Sequence, residues 1–164
     1  MNIEIVSAYT HEQEINTLFS EYTNMLIAND CSIQNYLNIQ HYDEEINHLD
    51  EKYGMPSGRL YLAYYNEEAA GCIGLKNIDG KNCEMKRFYV RPQFRRKNIG
   101  KLLVQKIIAD AKEIGYSYML LDTLPFLENA IHIYEKFGFY TIECYNNNPI
   151  STSIYMKLDL FPDI

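Results

Sequence analysis

Apolar and polar residues change their period several times along this chain, and the changes mark out its elements. Residues 2–7 alternate as a strand does. Over 10–28 the apolar positions Ile15, Leu18, Phe19, Tyr22 and Leu26 recur three and four apart, which predicts an amphipathic helix with Thr10 as N-cap and Gln13 three residues on. A second amphipathic helix, strongly acidic, is predicted over 33–53 and closed by the breaker Gly54-Met55-Pro56-Ser57-Gly58. The pattern then turns to strands: 60–65 and 70–75 read as a hairpin around Asn66-Glu67-Glu68. Asp79-Gly80 marks the next turn, and 83–91 is a third strand ended by Pro92, which cannot continue a central ladder.

From there the period is helical again. Ile99, Leu103, Ile107, Ala111 and Ile114 form one stripe, and Gly115 sits where a left-handed C-cap belongs. A short strand over 118–122, a helix over 126–137, a strand over 138–142 and a last strand over 154–158 complete the chain, with the loop Asn146-Asn147-Asn148-Pro149 before the last. Antiparallel strands followed by two strand–helix crossovers predict an α/β fold, a mixed sheet in which the later strands run parallel to one another. With 164 residues, 47% of them hydrophobic, the chain reads as one domain, 1–164.

Charge alters the picture at two places. Residues 1–53 hold ten acidic side chains and one basic one, Lys52, whereas 85–101 holds seven basic side chains and no acid. The net charge of −7 argues against nucleic acid as a partner. The N-terminus lacks a secretory pattern and no apolar run approaches the roughly 18 residues of a membrane span, so a cytoplasmic protein is expected, with its four scattered cysteines reduced. His41, Glu45 and His48 share a helical face, but no further ligand stands at metal-binding spacing. No Ser, Thr or Cys sits in a nucleophile pattern.

The chemistry concentrates where the basic strip meets the long helix. A helix start leaves backbone N–H groups unpaired and carries partial positive charge, so Arg95-Arg96-Lys97-Asn98-Ile99-Gly100 is a ready anion site. This segment resembles the acetyl-CoA loop of the GNAT N-acetyltransferases: Gln or Arg, two residues, Gly, one residue, Gly or Ala. Asn98 stands at the first glycine position, and asparagine tolerates left-handed backbone angles better than other non-glycine residues. Residues 128–139 are similar to that family's Asn-x-x-Ala-x-x-x-Tyr-x-x-x-Gly-Phe segment. Cys-Glu-Met-Lys-Arg at 83–87 and Leu-Asp-Thr-Leu-Pro at 121–125 resemble a bacterial branch of the family.

The resemblance implies a mixed, mostly antiparallel sheet of about six to seven strands with a splayed central pair, flanked by about four helices. It implies acetyl-CoA as cosubstrate, no metal, and a small-molecule amine as acceptor. Phe88, Tyr89 and Val90 would flank the pantetheine. Arg95, Arg96, Lys97, Asn98, Ile99, Gly100 and Lys101 would hold the pyrophosphate, and Asn129 the pantetheine arm. Tyr134 would protonate the leaving thiolate, unless it is only a core aromatic on the stripe Leu127, Ile131, Tyr134.

Glu84 is the candidate base, acting directly or through water; the other reading makes it an ion-pair partner of Lys86, because strict alternation puts Glu84, Lys86, Phe88 and Val90 on one face. In the family, the N-terminal helices and the loop before the last strand wall the acceptor cleft, which points to Tyr42, Asp43, Glu44, Tyr145 and Asn148. Ten acids in that N-terminal part would favour a cationic acceptor. The alternatives are a non-catalytic acyl-CoA-binding module and an enzyme acting on a peptide or protein amine. A role on charged transfer RNA fits the acidic composition poorly, and pairing as a homodimer stays open.

Overall fold

The computed structural model describes residues 2–39 and 42–162, with the side chains at 36, 37, 39, 42, 43 and 46 also outside the description. Its elements are β1 (Ile3–Ser7), α1 (Glu12–Asn29), α2 (Ile33–Ile39), α3 (Tyr42–Asn47), α4 (Leu49–Tyr53), β2 (Arg59–Tyr65), β3 (Glu68–Asn77) and β4 (Asn82–Val90). After a 3₁₀ turn, Pro92–Phe94, come α5 (Ile99–Ile114), β5 (Tyr118–Thr123), α6 (Glu128–Lys136), β6 (Tyr140–Ile142) and β7 (Ile154–Asp159). The strands form one seven-stranded sheet in the order β1-β2-β3-β4-β5-β7-β6. No helix among the described residues is long and apolar enough to cross a membrane.

Burial on both faces explains the continuous apolar runs in the central strands. Leu60, Leu62 and Cys72 meet Ile15, Leu18 and Phe19 of α1 on one face. Tyr61, Ala63, Ile73 and Leu75 meet Ile99, Leu103 and Ile107 of α5 on the other. Each buried leucine, isoleucine or phenylalanine among them contributes about 1.5–3 kcal/mol. Tyr53, at the end of α4, is wholly buried against β3, and a Cβ at Gly74 would stand 2.8 Å from its ring, so a glycine is needed there for α4 to dock. The hairpin turn places Asn66 and Glu67 at φ of 48° and 72°, the twisted two-residue turn that suits a right-handed strand pair.

Four expectations change. The helix predicted over 10–28 begins at Glu12, with His11 rather than Thr10 in the N-cap position. The helix predicted over 33–53 is three short helices, which raises the described helices above the four expected. Among the described side chains, Ile33 of α2 and Tyr53 of α4 are buried, so the apolar spacing persists across the breaks. β4 and β5 are parallel, but β7 enters between β5 and β6 and runs antiparallel to both, so the later strands are not mutually parallel neighbours. The last change concerns which side chains share a face of β4, and it shapes the site.

Candidate active site

β4 and β5 pair over only three positions, Asn82↔Tyr118, Cys83↔Met119 and Glu84↔Leu120. Beyond them β4 stays bonded to β3 as far as Val90, and β5 to β7 as far as Thr123, so the sheet opens between two strands that are each held from behind. A β-bulge steers β4 away: Arg87 and Phe88 together face the single residue Ile73, with Arg87 at φ 57°. The extra residue reverses the side-chain phase. Met85 and Phe88 both pack on the α5 side while Tyr89 packs on the α1 side, so Glu84 and Lys86 do not share a face with Phe88 and Val90 as alternation predicted.

On the α5 side of the opening lies the helix start. Arg96 and Asn98 have φ of 62° and 71°, and Asn98 occupies the N-cap of α5 without a side-chain capping bond. The left-handed angle is the one expected of a residue at a glycine position. The first bond of the turn runs from the Leu102 amide to the Asn98 carbonyl, 3.2 Å, which leaves the amides of residues 99–101 to a ligand or to water. Ile99 anchors the turn in the core. A Cβ at Gly100 would lie 3.1 Å from Phe88 and 3.2 Å from Ile133, so the small residue brings the helix start close to the opening. Arg95, Arg96, Asn98 and Lys101 are exposed; the Arg95 Nε donates to the Val90 carbonyl, 3.2 Å, and the Lys97 ammonium sits 5.1 Å over the Tyr65 ring. An uncapped turn ringed by cations fits a pyrophosphate.

Tyr134 meets both readings of it. It is 6% exposed and packed between Phe88 and Phe139, 5.9 and 5.7 Å between ring centres, yet it also lines the crevice. Its hydroxyl has no hydrogen-bond partner among the described residues. Burial, with Tyr22 and Asp122 nearby, pushes its pKa well above the usual value, so it holds its proton at neutral pH. Asn129 is exposed in the first turn of α6.

Glu84 is buried and does not line the crevice. Its Oε2 accepts a bond from the Tyr145 hydroxyl, 2.5 Å, and its Oε1 lies 3.8 Å from the Lys86 ammonium. The predicted ion-pair geometry is therefore present. Among the wall residues, Asn148 lines the crevice and is fixed by bonds to Ser153 and to the Ile150 amide; Glu44 is exposed and does not line it. Tyr42 and Asp43 lie outside the described side chains, as does His41.

Two groups in the crevice escaped the sequence reading. Asp122, at the end of β5, accepts a bond from Asn146 Nδ2, 2.9 Å, and a charge that closes an otherwise apolar strand was the available signal. Arg87 is the other. Its Nε and Nη2 donate to Glu45 at 2.7 and 3.0 Å, and Lys52 donates to the same carboxylate. Burial alone would raise the Glu45 pKa, but the two cations outweigh it and hold it at about 2. Glu45 is thus committed to Arg87 rather than to a metal, and among the described residues no cluster of three His, Cys, Asp or Glu could hold one. Glu21 is likewise bound to Arg91, at 2.7 and 3.0 Å. None of the described acids from residues 1–53 lines the crevice.

A sheet that parts along its parallel pair, with an uncapped basic helix start on one side and a buried phenol beside the gap, is the architecture of an acyltransferase that takes an extended phosphorylated acyl donor. The model of the acetyltransferase (GNAT) family matches residues 22–139, and the chain belongs to that family. It is 33% identical to an uncharacterised N-acetyltransferase of Dictyostelium discoideum over 98% of this chain and all of that one. A GNAT acetyltransferase from Staphylococcus aureus shares the fold with a TM-score of 0.75 at 22% identity, covering 98% of this chain and 100% of that one. Another, from Elizabethkingia anophelis and solved with acetyl-CoA bound, matches 69% of this chain and 82% of its own at 26% identity and a TM-score of 0.55.

Proposed function

We propose that the protein transfers the acetyl group of acetyl-CoA to the amine of a small acceptor, by direct attack within a ternary complex. The observation that carries this reading is the loss of β4–β5 pairing after Glu84↔Leu120 beside the uncapped start of α5. Backbone groups of residues 88–90, left without a strand on that side, receive the pantetheine; the amides of 99–101 with Arg95, Arg96, Lys97 and Lys101 receive the pyrophosphate. Asn129 contacts the arm from α6.

The acceptor ammonium first loses a proton. Its lone pair attacks the thioester carbonyl carbon, a C–N bond forms, and collapse breaks the C–S bond. Tyr134 gives its proton to the departing thiolate and regains the one released from the new amide nitrogen, so ammonium and thioester become amide, thiol and one proton. Glu84, turned toward Tyr145, acts as base through a water or the Tyr145 hydroxyl rather than by contact. Thiol release against a panel of amines tests the reading, together with Tyr134→Phe. The variant should keep the rise in melting temperature given by acetyl-CoA and lose about 10²–10⁴-fold in turnover. Unchanged turnover would remove Tyr134 as the acid, and release with no amine in the panel would leave an acyl-CoA-binding module.

A further inference from the structure

The crevice is not uniformly charged. Lys86 and the Glu45-bound Arg87 reach it from β4 and Asp122 from β5, opposite signs on the two strands that part. Lys86 has a side chain only 7% exposed, and among the described residues its one carboxylate neighbour within ion-pair range, Glu84, stands at 3.8 Å, beyond hydrogen-bond distance and itself bonded to Tyr145. A buried ammonium held that loosely is costly unless something closer neutralises it. Next to Asp122, Thr123 is 6% exposed and lines the same crevice, with its hydroxyl oxygen buried and no partner among the described residues. Opposite them lies an apolar cluster of Leu26, Ile33, Leu124 and Ile150, with Asn148 and Ser153, bonded to each other, at its edge.

Resting on the acetyl-transfer reading above, we infer that the acceptor is an α-amino acid with an apolar side chain. Its carboxylate takes the Lys86 ammonium and the Thr123 hydroxyl, its ammonium faces Asp122, and its side chain lies against Leu26, Ile33 and Ile150. Asp122 accepts a bond from Asn146, and with about four lone-pair sites a carboxylate takes several donors at once. Burial presses Lys86 toward its neutral form, with Arg87 adding to the effect and Glu84 opposing it, and an incoming carboxylate would relieve that pressure. Arg87 adds positive potential without a free fork, since Glu45 holds it.

The test compares, on the full chain, each of several apolar amino acids with its carboxamide and with the amine lacking the carboxyl group. Thiol release gives kcat/KM, and the melting temperature in the presence of coenzyme A reports binding apart from turnover. The acid should exceed the amide and the amine by about ten- to hundredfold, the worth of one bond to a charged group. In Lys86→Met that ratio should shrink to about one, with acetyl-CoA still raising the melting temperature as evidence of folding. Equal rates for acid, amide and amine in the unmodified protein overturn the amino-acid proposal and leave acetyl transfer to amines standing. If no amine releases thiol, the transfer reading fails, and the melting shift decides the rest. A shift produced by the acid and not by the amide supports the carboxylate site, and equal shifts sink it.

Discussion

Within one strip of seven basic side chains, Lys86, Arg87 and Arg91 differ in kind from Arg95, Arg96, Lys97 and Lys101. The first three each have an acid in ion-pair range: Glu45 and Glu21 bond Arg87 and Arg91 at 2.7 Å, while Glu84 stands 3.8 Å from Lys86. The last four lie around the start of α5 with no acidic partner among the described residues. A charge in the interior must be neutralised nearby, because losing water costs several kcal/mol per ion, whereas an exposed charge keeps its water and stays available to a ligand. The paired set, buried at Lys86 and Arg87 and half-buried at Arg91, ties α1 and α3 to β4 and the residue after it. The exposed set is free to meet phosphate.

Breaking the buried set should cost most. Glu45→Gln removes the carboxylate that neutralises the buried Arg87 guanidinium and should lower stability by about 3–5 kcal/mol in urea unfolding. Acid should act on the same carboxylate. Its folded pKa, about 2, lies below its ordinary 4.5, so the stability it supplies is complete above that ordinary value and fades as pH falls toward 2. The loss is on the order of 3 kcal/mol, and it should vanish from the pH–stability curve of Glu45→Gln. At the other end of the strip, Asn98→Val forces a β-branched residue into φ 71° and should cost about 1–2 kcal/mol while weakening acetyl-CoA binding. The smallest change is expected from Arg96→Ala: unfolding within about 0.5 kcal/mol of the unmodified chain, KM for acetyl-CoA up about fivefold, and a KM that depends less on salt. A large loss of stability in Arg96→Ala would erase the distinction between the two sets.

Much of this molecule was legible beforehand. α5 was readable because its stripe is long and its C-cap is a glycine, which indeed stands at φ 106°. The left-handed turn was readable because residue 98 is one of the few that accept it. The phase of β4 was not, since a bulge inserts one residue without any mark in the hydrophobic pattern, and alternation carried across it assigns Phe88 to the wrong face. The Glu45–Arg87 bond was not readable either: 42 residues separate the partners, and an acid on an amphipathic helix looks the same whether it meets water or a guanidinium.

Outside 33–53, where one expected helix is three, local interactions were sufficient to set the elements, their order and the basic turn ahead of α5, because period, caps and backbone preference act within a few residues. Partner choice across the chain needed the folded sheet: which cations are buried, that β7 slips between β5 and β6, that Asp122 and Thr123 come opposite Lys86 across the opening. Those depend on distances between residues far apart in sequence, and such distances exist only once the strands have been laid side by side.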